Sequence, residues 1–311
     1  MAIEHASVRV ARKPWGVADL HPWSSIDASG GAVGELWFQR TDRDAPVPAL
    51  LLKLLFTSDT LSIQVHPDDA FARSIGLSNG KTEAWYILSA TPDARVAVGL
   101  KRNLTPQELR ASIRDGSIAD MTQWRSVTKG DVIFVPAGTI HAIGAGIVLA
   151  EIQQHSEATF RLFDYGRQRE LHEDNAVAVS EAGPIRTQAG PRRLTTARTA
   201  LVASQHFVLE RVDLPTNSNW VLNADWETWI LVIDGQARIG TTDASVGDAV
   251  FAVADCADIE VGLAGISCLI AYPGPDPLMG LLQESADPRS GSAGTSAARA
   301  PKRKANVEAQ T

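Results

Sequence analysis

A short strand-forming pattern occurs twice in this chain and restricts its fold more than any other part of the sequence. Lys129-Gly-Asp-Val-Ile-Phe134 is echoed by Val246-Gly-Asp-Ala-Val-Phe251, and in both segments a Gly-Asp turn leads into an apolar run. Turn signals that precede short apolar runs along a chain are typical of all-β barrels and sandwiches. The repeat therefore predicts a mainly β protein with two related barrels in tandem.

The first block, residues 1–190, is dense in strand signals. The runs that read as strands are 50–56, 61–65, 83–88, 95–100, 127–136 and 144–153. One segment near residues 103–124 breaks this rhythm. Thr105 is placed to cap a helix with Pro106 at its first position and Glu108 three residues after the cap, while Leu109 and Ile113 share one face. We predict a short helical insertion there.

The second block, residues 191–283, repeats the strand pattern without the polar residues of the first. Its predicted strands are 207–211, 228–233, 237–240, 249–253 and 267–271. It has Ala252-Val-Ala-Asp-Cys256 where the first block has Val135-Pro-Ala-Gly-Thr-Ile-His141. We predict a degenerate, metal-free barrel. Residues 284–311 lack apolar periodicity and carry the basic cluster Pro301-Lys-Arg-Lys304, so we predict a disordered basic tail.

Charge and cysteine content exclude several classes of protein. The 311-residue chain has a formal net charge of −7, which argues against a nucleic-acid partner because phosphate affinity depends on clustered Lys and Arg. Cys256 and Cys268 are too few for a disulfide framework, and we interpret both as buried thiols in a reducing compartment. With no signal-peptide pattern and no run of about 18 apolar residues, we expect a cytoplasmic protein without a membrane partner.

Three separated segments supply metal-binding side chains to the first block. They contribute Gln64 and His66, then Glu83, then His141, each near a strand end or a turn. Gln64 and His66 are two residues apart, so both point to the same face of a strand, the barrel interior. Buried Gln and His side chains are costly unless they have partners. The four side chains together predict a site for zinc or a related divalent metal, with one position left open.

A hydrogen bond in a polar loop would explain His66 or His141 taken alone. It would not explain three polar side chains in the interior of one barrel. The contexts of His5, His21, His172 and His206 predict solvent-facing side chains. His155 borders the site region and is a weaker candidate for ligation.

Lys81 and Arg161 are the candidates for chemistry beside the metal. Lys81 stands two residues before Glu83 and shares its face, and a nearby dication would favour the neutral amine as a proton acceptor. A solvated turn lysine is the alternative. Arg161 is flanked by apolar and aromatic residues, so we expect it to be partly buried with an acidic partner or an anionic ligand. Arg167 and Arg169 rank lower, because a solvated ion pair explains them equally well.

Five motifs occur in one order along residues 7–183. They are Lys13-Pro-Trp-Gly16, Gln64-Val-His-Pro-Asp-Asp69, Gly80-Lys-Thr-Glu-Ala-Trp85, Val135-Pro-Ala-Gly-Thr-Ile-His141 and Phe160-Arg-Leu-Phe-Asp-Tyr-Gly-Arg167. In combination they resemble the type I mannose-6-phosphate isomerases, most of all the compact bacterial members. The fourth motif alone would indicate only a cupin fold.

The resemblance implies tandem cupin (jelly-roll) barrels and a phosphosugar as the small-molecule partner. It implies one Zn²⁺ per chain, or another divalent metal, held by Gln64, His66, Glu83 and His141. The reaction would interconvert mannose 6-phosphate and fructose 6-phosphate through an enediolate, whose charge a dication and a guanidinium can stabilise.

By the same match Arg161 would be the catalytic arginine and Lys81 the candidate acid or base, with Glu83 and a metal-bound water as its rivals. Two other functions remain open. One is an isomerase or epimerase of a different phosphosugar on the same metal site. The other is a sugar-sensing cupin, which would have no need of a proton carrier beside the metal. The sequence leaves the oligomeric state open.

Overall fold

The computed structural model describes residues 3–42, 44–185 and 189–285, which form three antiparallel β-sheets and four helices. In chain order the strands are β1 (Ile3–His5), β2 (Ser7–Val17), β3 (Val33–Gln39), β4 (Leu50–Thr57), β5 (Ile63–Val65), β6 (Glu83–Ala90), β7 (Arg95–Leu100), β8 (Thr122–Ser126), β9 (Val132–Val135), β10 (His141–Ile143), β11 (Ile147–Gln154), β12 (Phe160–Phe163), β13 (Arg192–Arg193), β14 (Arg198–Ala203), β15 (Phe207–Leu214), β16 (Asn219–Ala224), β17 (Thr228–Ile239), β18 (Thr242–Ser245), β19 (Ala249–Ala252), β20 (Asp255–Pro273) and β21 (Leu282–Glu284). The helices are α1 (Asp69–Ser74), α2 (Pro106–Asp115), α3 (Ile118–Met121) and α4 (Glu173–Val179).

The first block consists of two sheets that face each other. One has the strand order β2-β3-β4-β11-β6-β9 and the other the order β12-β5-β10-β7-β8. Trp85 and Leu149 of the first sheet pack with Val96 and Ile143 of the second in a single buried cluster. The interior between these sheets is the barrel lumen, and the prediction of a mainly β fold is confirmed.

Strand β4 shows why the sequence carries an unbroken apolar run here. All eight residues of β4 are buried, because the two faces of its sheet are both covered. Leu54 and Phe56 point outward and pack with Leu209 and Trp229 of the second block. The alternate residues point into the lumen, where the single charged residue of the run, Lys53, lines a cavity.

The helices cover the outer face of the five-stranded sheet. Helix α2 begins at the predicted cap, where Thr105 and Glu108 form a reciprocal capping box and Pro106 occupies the first turn. Its buried residues Leu109 and Ile113 join a cluster with strand residues of the sheet. The predicted helix is confirmed, and it closes the side of the barrel on which β5, β10 and β12 lie.

The second block is a ten-stranded sheet with the central order β1-β19-β17-β20-β15-β14-β13. Its long strand β17 merges the predicted strands 228–233 and 237–240, and β20 extends the predicted strand 267–271 toward the N-terminus. Strand β17 stays continuous because its register with β20 shifts on both sides of Gly235. A Cβ at Gly235 would lie only 2.1 Å from the carbonyl oxygen of Gly265, so this close approach requires glycine.

Strand β1 pairs with β19, so Ile3–His5 belong to the sheet of the second block. The division at residue 190 stays a prediction. Residues 286–311, most of the predicted basic tail, lie outside the described residues. Within the described chain, no helix is long and apolar enough to cross a membrane.

The prediction that both cysteines are buried is wrong for one of them. Cys268 is buried, but Cys256 is exposed. Ala257 points into the core of the second block. Its neighbour Cys256 therefore points to solvent, since successive side chains of a strand lie on opposite faces.

Candidate functional site

The four predicted metal ligands converge in the lumen of the first barrel. His141 at the start of β10 lies directly opposite Gln64 on β5, and their side-chain nitrogen atoms Nε2 are 3.2 Å apart. His66 follows two residues after Gln64, and Glu83 begins β6 in the facing sheet. One ligand atom from each of His66, Glu83 and His141 lies within 4.8 Å of the others, and all three side chains are buried.

Backbone carbonyl groups fix the orientation of both imidazole rings. Nδ1 of His66 lies 2.8 Å from the carbonyl oxygen of Ala158, and Nδ1 of His141 lies 2.9 Å from that of Thr139. A carbonyl oxygen only accepts hydrogen bonds, so each Nδ1 carries the hydrogen and each Nε2 keeps its lone pair. Both Nε2 atoms point at Glu83, at 3.4 Å from Oε2 for His66 and 3.5 Å from Oε1 for His141.

Burial sets the protonation of this cluster. It lowers the pKa of His66 to about 4, with the charge of Lys81 adding to the effect, and it lowers the pKa of His141 as well. Burial by itself would raise the pKa of Glu83, but the ammonium of Lys81 holds it well below its ordinary value. The site therefore presents two neutral nitrogens and one carboxylate at neutral pH.

Lys81 lies inside the cluster rather than in solvent. Its Nζ is 2.7 Å from Glu83 Oε2 and 3.0 Å from His66 Nε2, and its side chain is buried. Burial lowers the pKa of Lys81, but the carboxylates of Glu83 and Glu151 outweigh that effect and raise it above its ordinary value. The alternative of a solvated turn lysine is excluded by this burial.

A hydrogen-bond network holds the segment that carries Lys81. Gln154 accepts from the backbone N–H of Thr82 at 2.9 Å and donates to Asp69 Oδ1 at 2.9 Å. Asp69 Oδ1 also accepts from the N–H of Gly80 at 2.8 Å. A Cβ at Gly80 would lie 2.4 Å from the backbone of Asp68, which explains the glycine before Lys81.

A cavity of about 310 Å³ opens beside the cluster. Gln64 and Lys81 line it, together with residues that the sequence analysis did not select. Lys53 donates to Gln153 at 2.7 Å and lies 3.2 Å from Glu151 and 4.3 Å from the centre of the Trp37 ring. Further cavity residues are Lys13, Trp15, Glu35, Glu157, Thr159, Arg169 and His172.

Two cavity residues in the middle of strands, Lys53 and Glu151, could have been identified from the sequence. Lys53 and Glu151 are the single charged residues of their buried strands and lie opposite each other in the ladder. An isolated charge within a buried strand needs a partner on the same face. Applying that rule to every strand would have selected both residues.

Arg161 is half-buried, as predicted, and it lines the cavity. It lies directly opposite Gln64 in the ladder between β12 and β5. Burial lowers the pKa of its guanidinium, and the charge of Arg169 adds to the effect. Its Nη1 donates to the carbonyl oxygen of Glu170 at 3.0 Å rather than to a carboxylate.

The lower-ranked arginines are part of the same loop. Arg169 binds Asp164 through two hydrogen bonds of 2.6 Å. Arg167 binds Asp164 and Asp59. Asp164 is buried, so these pairs stabilise the loop instead of lying free in solvent, and Arg169 also reaches the cavity.

The remaining histidines fall into two groups. His5 and His21 are exposed, as predicted. The prediction of solvent-facing side chains is wrong for His172 and His206, which are half-buried, and His172 lines the cavity. His155 is outside the ligand cluster.

Known proteins similar in sequence to this chain are named mannose-6-phosphate isomerases. No family model matches the chain. A mannose-6-phosphate isomerase of Streptococcus mutans serotype c is 33% identical over 198 residues, covering 61% of this chain and 62% of that protein. The chain therefore aligns with less than two thirds of that relative. A putative mannose-6-phosphate isomerase of Bacillus subtilis is 33% identical over 220 residues, covering 64% of this chain and 69% of the relative.

Solved structures share the fold over most of the chain. The mannose 6-phosphate isomerase of Bacillus subtilis has a TM-score of 0.77 at 24% identity, with 87% of this chain and 99% of that chain covered. A mannose 6-phosphate isomerase bound with zinc and yttrium has a TM-score of 0.68 at 14% identity, with 88% and 100% covered. The fold is that of tandem cupins. On its sequence relatives, the chain belongs to the type I mannose-6-phosphate isomerase family.

Proposed function

We propose that this protein is a metal-dependent aldose-ketose isomerase that interconverts mannose 6-phosphate and fructose 6-phosphate. The observation that carries the proposal is the buried cluster of His66, Glu83 and His141, which lies beside a cavity lined by five cationic and three acidic side chains. The relatives that carry this activity in their names support the substrate assignment.

The residues that would hold the metal are Gln64, His66, Glu83 and His141. Two neutral imidazole nitrogens and a carboxylate form a donor set suited to zinc, with room for a further ligand. Glu83 Oε2 is buried and forms no hydrogen bond of good geometry, and the ammonium of Lys81 lies 2.7 Å from it, so this carboxylate oxygen already faces a cation in the structure. Zinc is the metal that we propose, on this donor set and on the zinc-bound structural relative. The bound metal would polarise the substrate oxygens and lower the energy of the enediolate.

The isomerisation moves a proton between C1 and C2 of the sugar, and negative charge develops on the adjacent oxygens. Arg161 is the catalytic arginine of the proposal, because its guanidinium lines the cavity opposite Gln64 and can face those oxygens. Lys81 is the proposed proton carrier. Glu83 and Glu151 favour its ammonium form, so Lys81 Nζ would first give its proton to the carbonyl oxygen of the substrate and then, as the neutral amine, take the proton from the adjacent carbon.

The charge of the cavity wall supports an anionic substrate. Lys13, Arg161 and Arg169 line the cavity together with Lys53 and Lys81, on a protein of net charge −7. Concentrating cations in one cavity of an acidic protein favours a small anion there. The acids Glu35 and Glu151, which pair with Lys13 and Lys53, leave hydrogen-bonding groups for sugar hydroxyls.

The test is metal analysis of the purified protein combined with mannose 6-phosphate turnover before and after chelation. We expect about one divalent ion per chain, loss of turnover on chelation and recovery with zinc. Full turnover by protein with no bound metal would contradict the proposal.

A panel of hexose and pentose phosphates tests the substrate. The metal ligands do not encode sugar stereochemistry, so a higher kcat/KM for another phosphosugar would move the function to that sugar. Binding of phosphosugars without turnover of any of them would favour the sugar-sensing alternative.

A further inference from the structure

Strand β12, which carries Arg161, is the edge strand of its sheet. It pairs with β5 on one side, and no strand lies on its other side within the described chain. Backbone groups on an open edge lack partners unless another part of the protein supplies them. For Arg161, both hydrogen-bond partners come from a single residue, His172, which lies eleven positions later in the chain.

His172 satisfies both backbone groups of Arg161. The N–H of Arg161 lies 3.0 Å from Nδ1 of the His172 ring, and the N–H of His172 donates to the carbonyl oxygen of Arg161 at 2.9 Å. His172 thereby replaces a neighbouring strand over one residue. The carbonyl of Glu170, two residues earlier, binds the guanidinium of Arg161 at 3.0 Å.

The first of these bonds fixes the state of the ring. A backbone N–H can only donate, so Nδ1 of His172 must be unprotonated and the ring must be the neutral Nε2–H tautomer. Burial and the nearby charge of Arg161 lower the pKa of His172, which is consistent with a neutral ring.

The position of His172 is fixed from the opposite side as well. Glu173, the next residue, pairs with Arg110 and Arg114 of helix α2. Asp164, at the start of the same loop, is held by two bonds to Arg169. The ring of His172 is therefore attached to a fixed support, and it transmits that support to Arg161.

We propose that His172 is a positioning residue for Arg161: its ring and backbone hold the edge of β12 so that the guanidinium faces the cavity. This inference rests on the proposed function, because its effect is measured on turnover. Nδ1 is the atom that the argument requires. The wall position of His172 also allows a direct contact between Nε2 and substrate, and that is the competing explanation.

Three substitutions separate these explanations. His172→Asn keeps an acceptor near the position of Nδ1, His172→Gln keeps a polar group nearer the position of Nε2, and His172→Ala removes both. We expect Ala and Gln to lower kcat by about 10- to 100-fold with little change in KM, because small misplacements of a catalytic group carry losses of that size. We expect Asn to keep most of the wild-type kcat. All three should bind metal like the wild type.

A double-mutant cycle with Arg161→Ala distinguishes an effect of His172 through Arg161 from a general structural defect. If His172 acts through Arg161, His172→Ala should have almost no further effect on kcat in the Arg161→Ala protein. Equal losses in both backgrounds would overturn the inference, and so would activity that Gln preserves and Asn does not. If the wild type turns over no phosphosugar at all, the proposed function fails and this inference fails with it.

Discussion

The ammonium of Lys81 lies 2.7 Å from Glu83 Oε2 and 3.0 Å from His66 Nε2, between the same two side chains that are predicted to bind a metal. An ammonium and a dication at one pair of ligands repel each other. Metal binding should therefore lower the pKa of Lys81 and move its Nζ away from the ligands, toward the cavity. The ligands and the proton carrier are coupled by this competition.

Replacing Lys81 with Met should separate metal binding from catalysis. Lys81→Met removes the competing charge, so we expect metal affinity equal to or higher than that of the wild type. We expect kcat to fall by about 10²- to 10⁴-fold, the usual contribution of a positioned acid or base. Lys129→Met, at an exposed lysine, is the control. Near wild-type turnover of Lys81→Met would remove Lys81 as proton carrier.

Arg161→Ala tests the catalytic arginine. Its guanidinium donates to the carbonyl oxygen of Glu170 and forms no hydrogen bond to a proposed ligand among the described residues, so the variant should keep its metal while kcat falls by about 10²- to 10³-fold. Parallel measurements of metal content and steady-state kinetics check this, with the exposed Arg95→Ala as the matched change. Loss of metal or poor folding in Arg161→Ala would make the residue structural.

Gln154 accepts a hydrogen bond from the backbone of Thr82, the residue after Lys81. Gln154→Ala leaves the N–H of Thr82 without its acceptor, so we expect a loss of about 1–3 kcal/mol in the free energy of unfolding. Metal affinity should fall about 10- to 100-fold, as for other residues that orient a ligand-bearing segment. Denaturant titration and metal titration measure the two effects, and Gln123→Ala, at an exposed glutamine, should show neither.

The metal-free protein should lose stability in mild acid. The pKa of His66 is about 4 in the folded protein, below its ordinary value of 6.5, so between these values the unfolded chain binds a proton that the folded chain does not. The contribution is complete above pH 6.5 and declines as the pH falls toward 4, by about 1.4 kcal/mol per pH unit. The lowered pKa of His141 adds in the same direction. Unfolding of the chelated protein across this range, compared with His66→Asn, should give a shallower slope for the variant.

The second block contains a buried ion pair with no link to the metal cluster. Arg198 binds Glu210 through two hydrogen bonds of 2.8 Å, and the hydroxyl of Tyr272 donates to the same carboxylate. Glu210→Ala leaves the buried guanidinium of Arg198 without its carboxylate partner and should cost about 3–5 kcal/mol. The exposed Glu260→Ala should cost little. Turnover per folded molecule should be unchanged in both variants.

Local sequence patterns correctly predicted the features that depend on residues close together in the chain. The cap at Thr105 needs only the next few residues, and the shared face of Gln64 and His66 follows from their spacing. Both predictions agree with the structure. The cluster of His66, Glu83 and His141 was also predicted, because polar residues within buried strands need each other.

The rest depends on contacts between distant residues, which spacing does not encode. His172 looks like a loop histidine until β12 is known to be an edge strand with an unpaired N–H at Arg161. The merged strand β17 depends on the approach of Gly235 to Gly265, thirty residues away. Burial of Lys81 depends on the network through Gln154, which lies on a different strand.

Strand β1 has a practical consequence for dissecting the molecule. It covers the edge of β19, so separating residues 191–283 from the N-terminus would leave that edge bare. Uncovered edges recruit strands from other chains. The isolated second barrel should therefore self-associate, both through this edge and through the apolar face around Leu209 and Trp229 that packs on the first block in the intact chain.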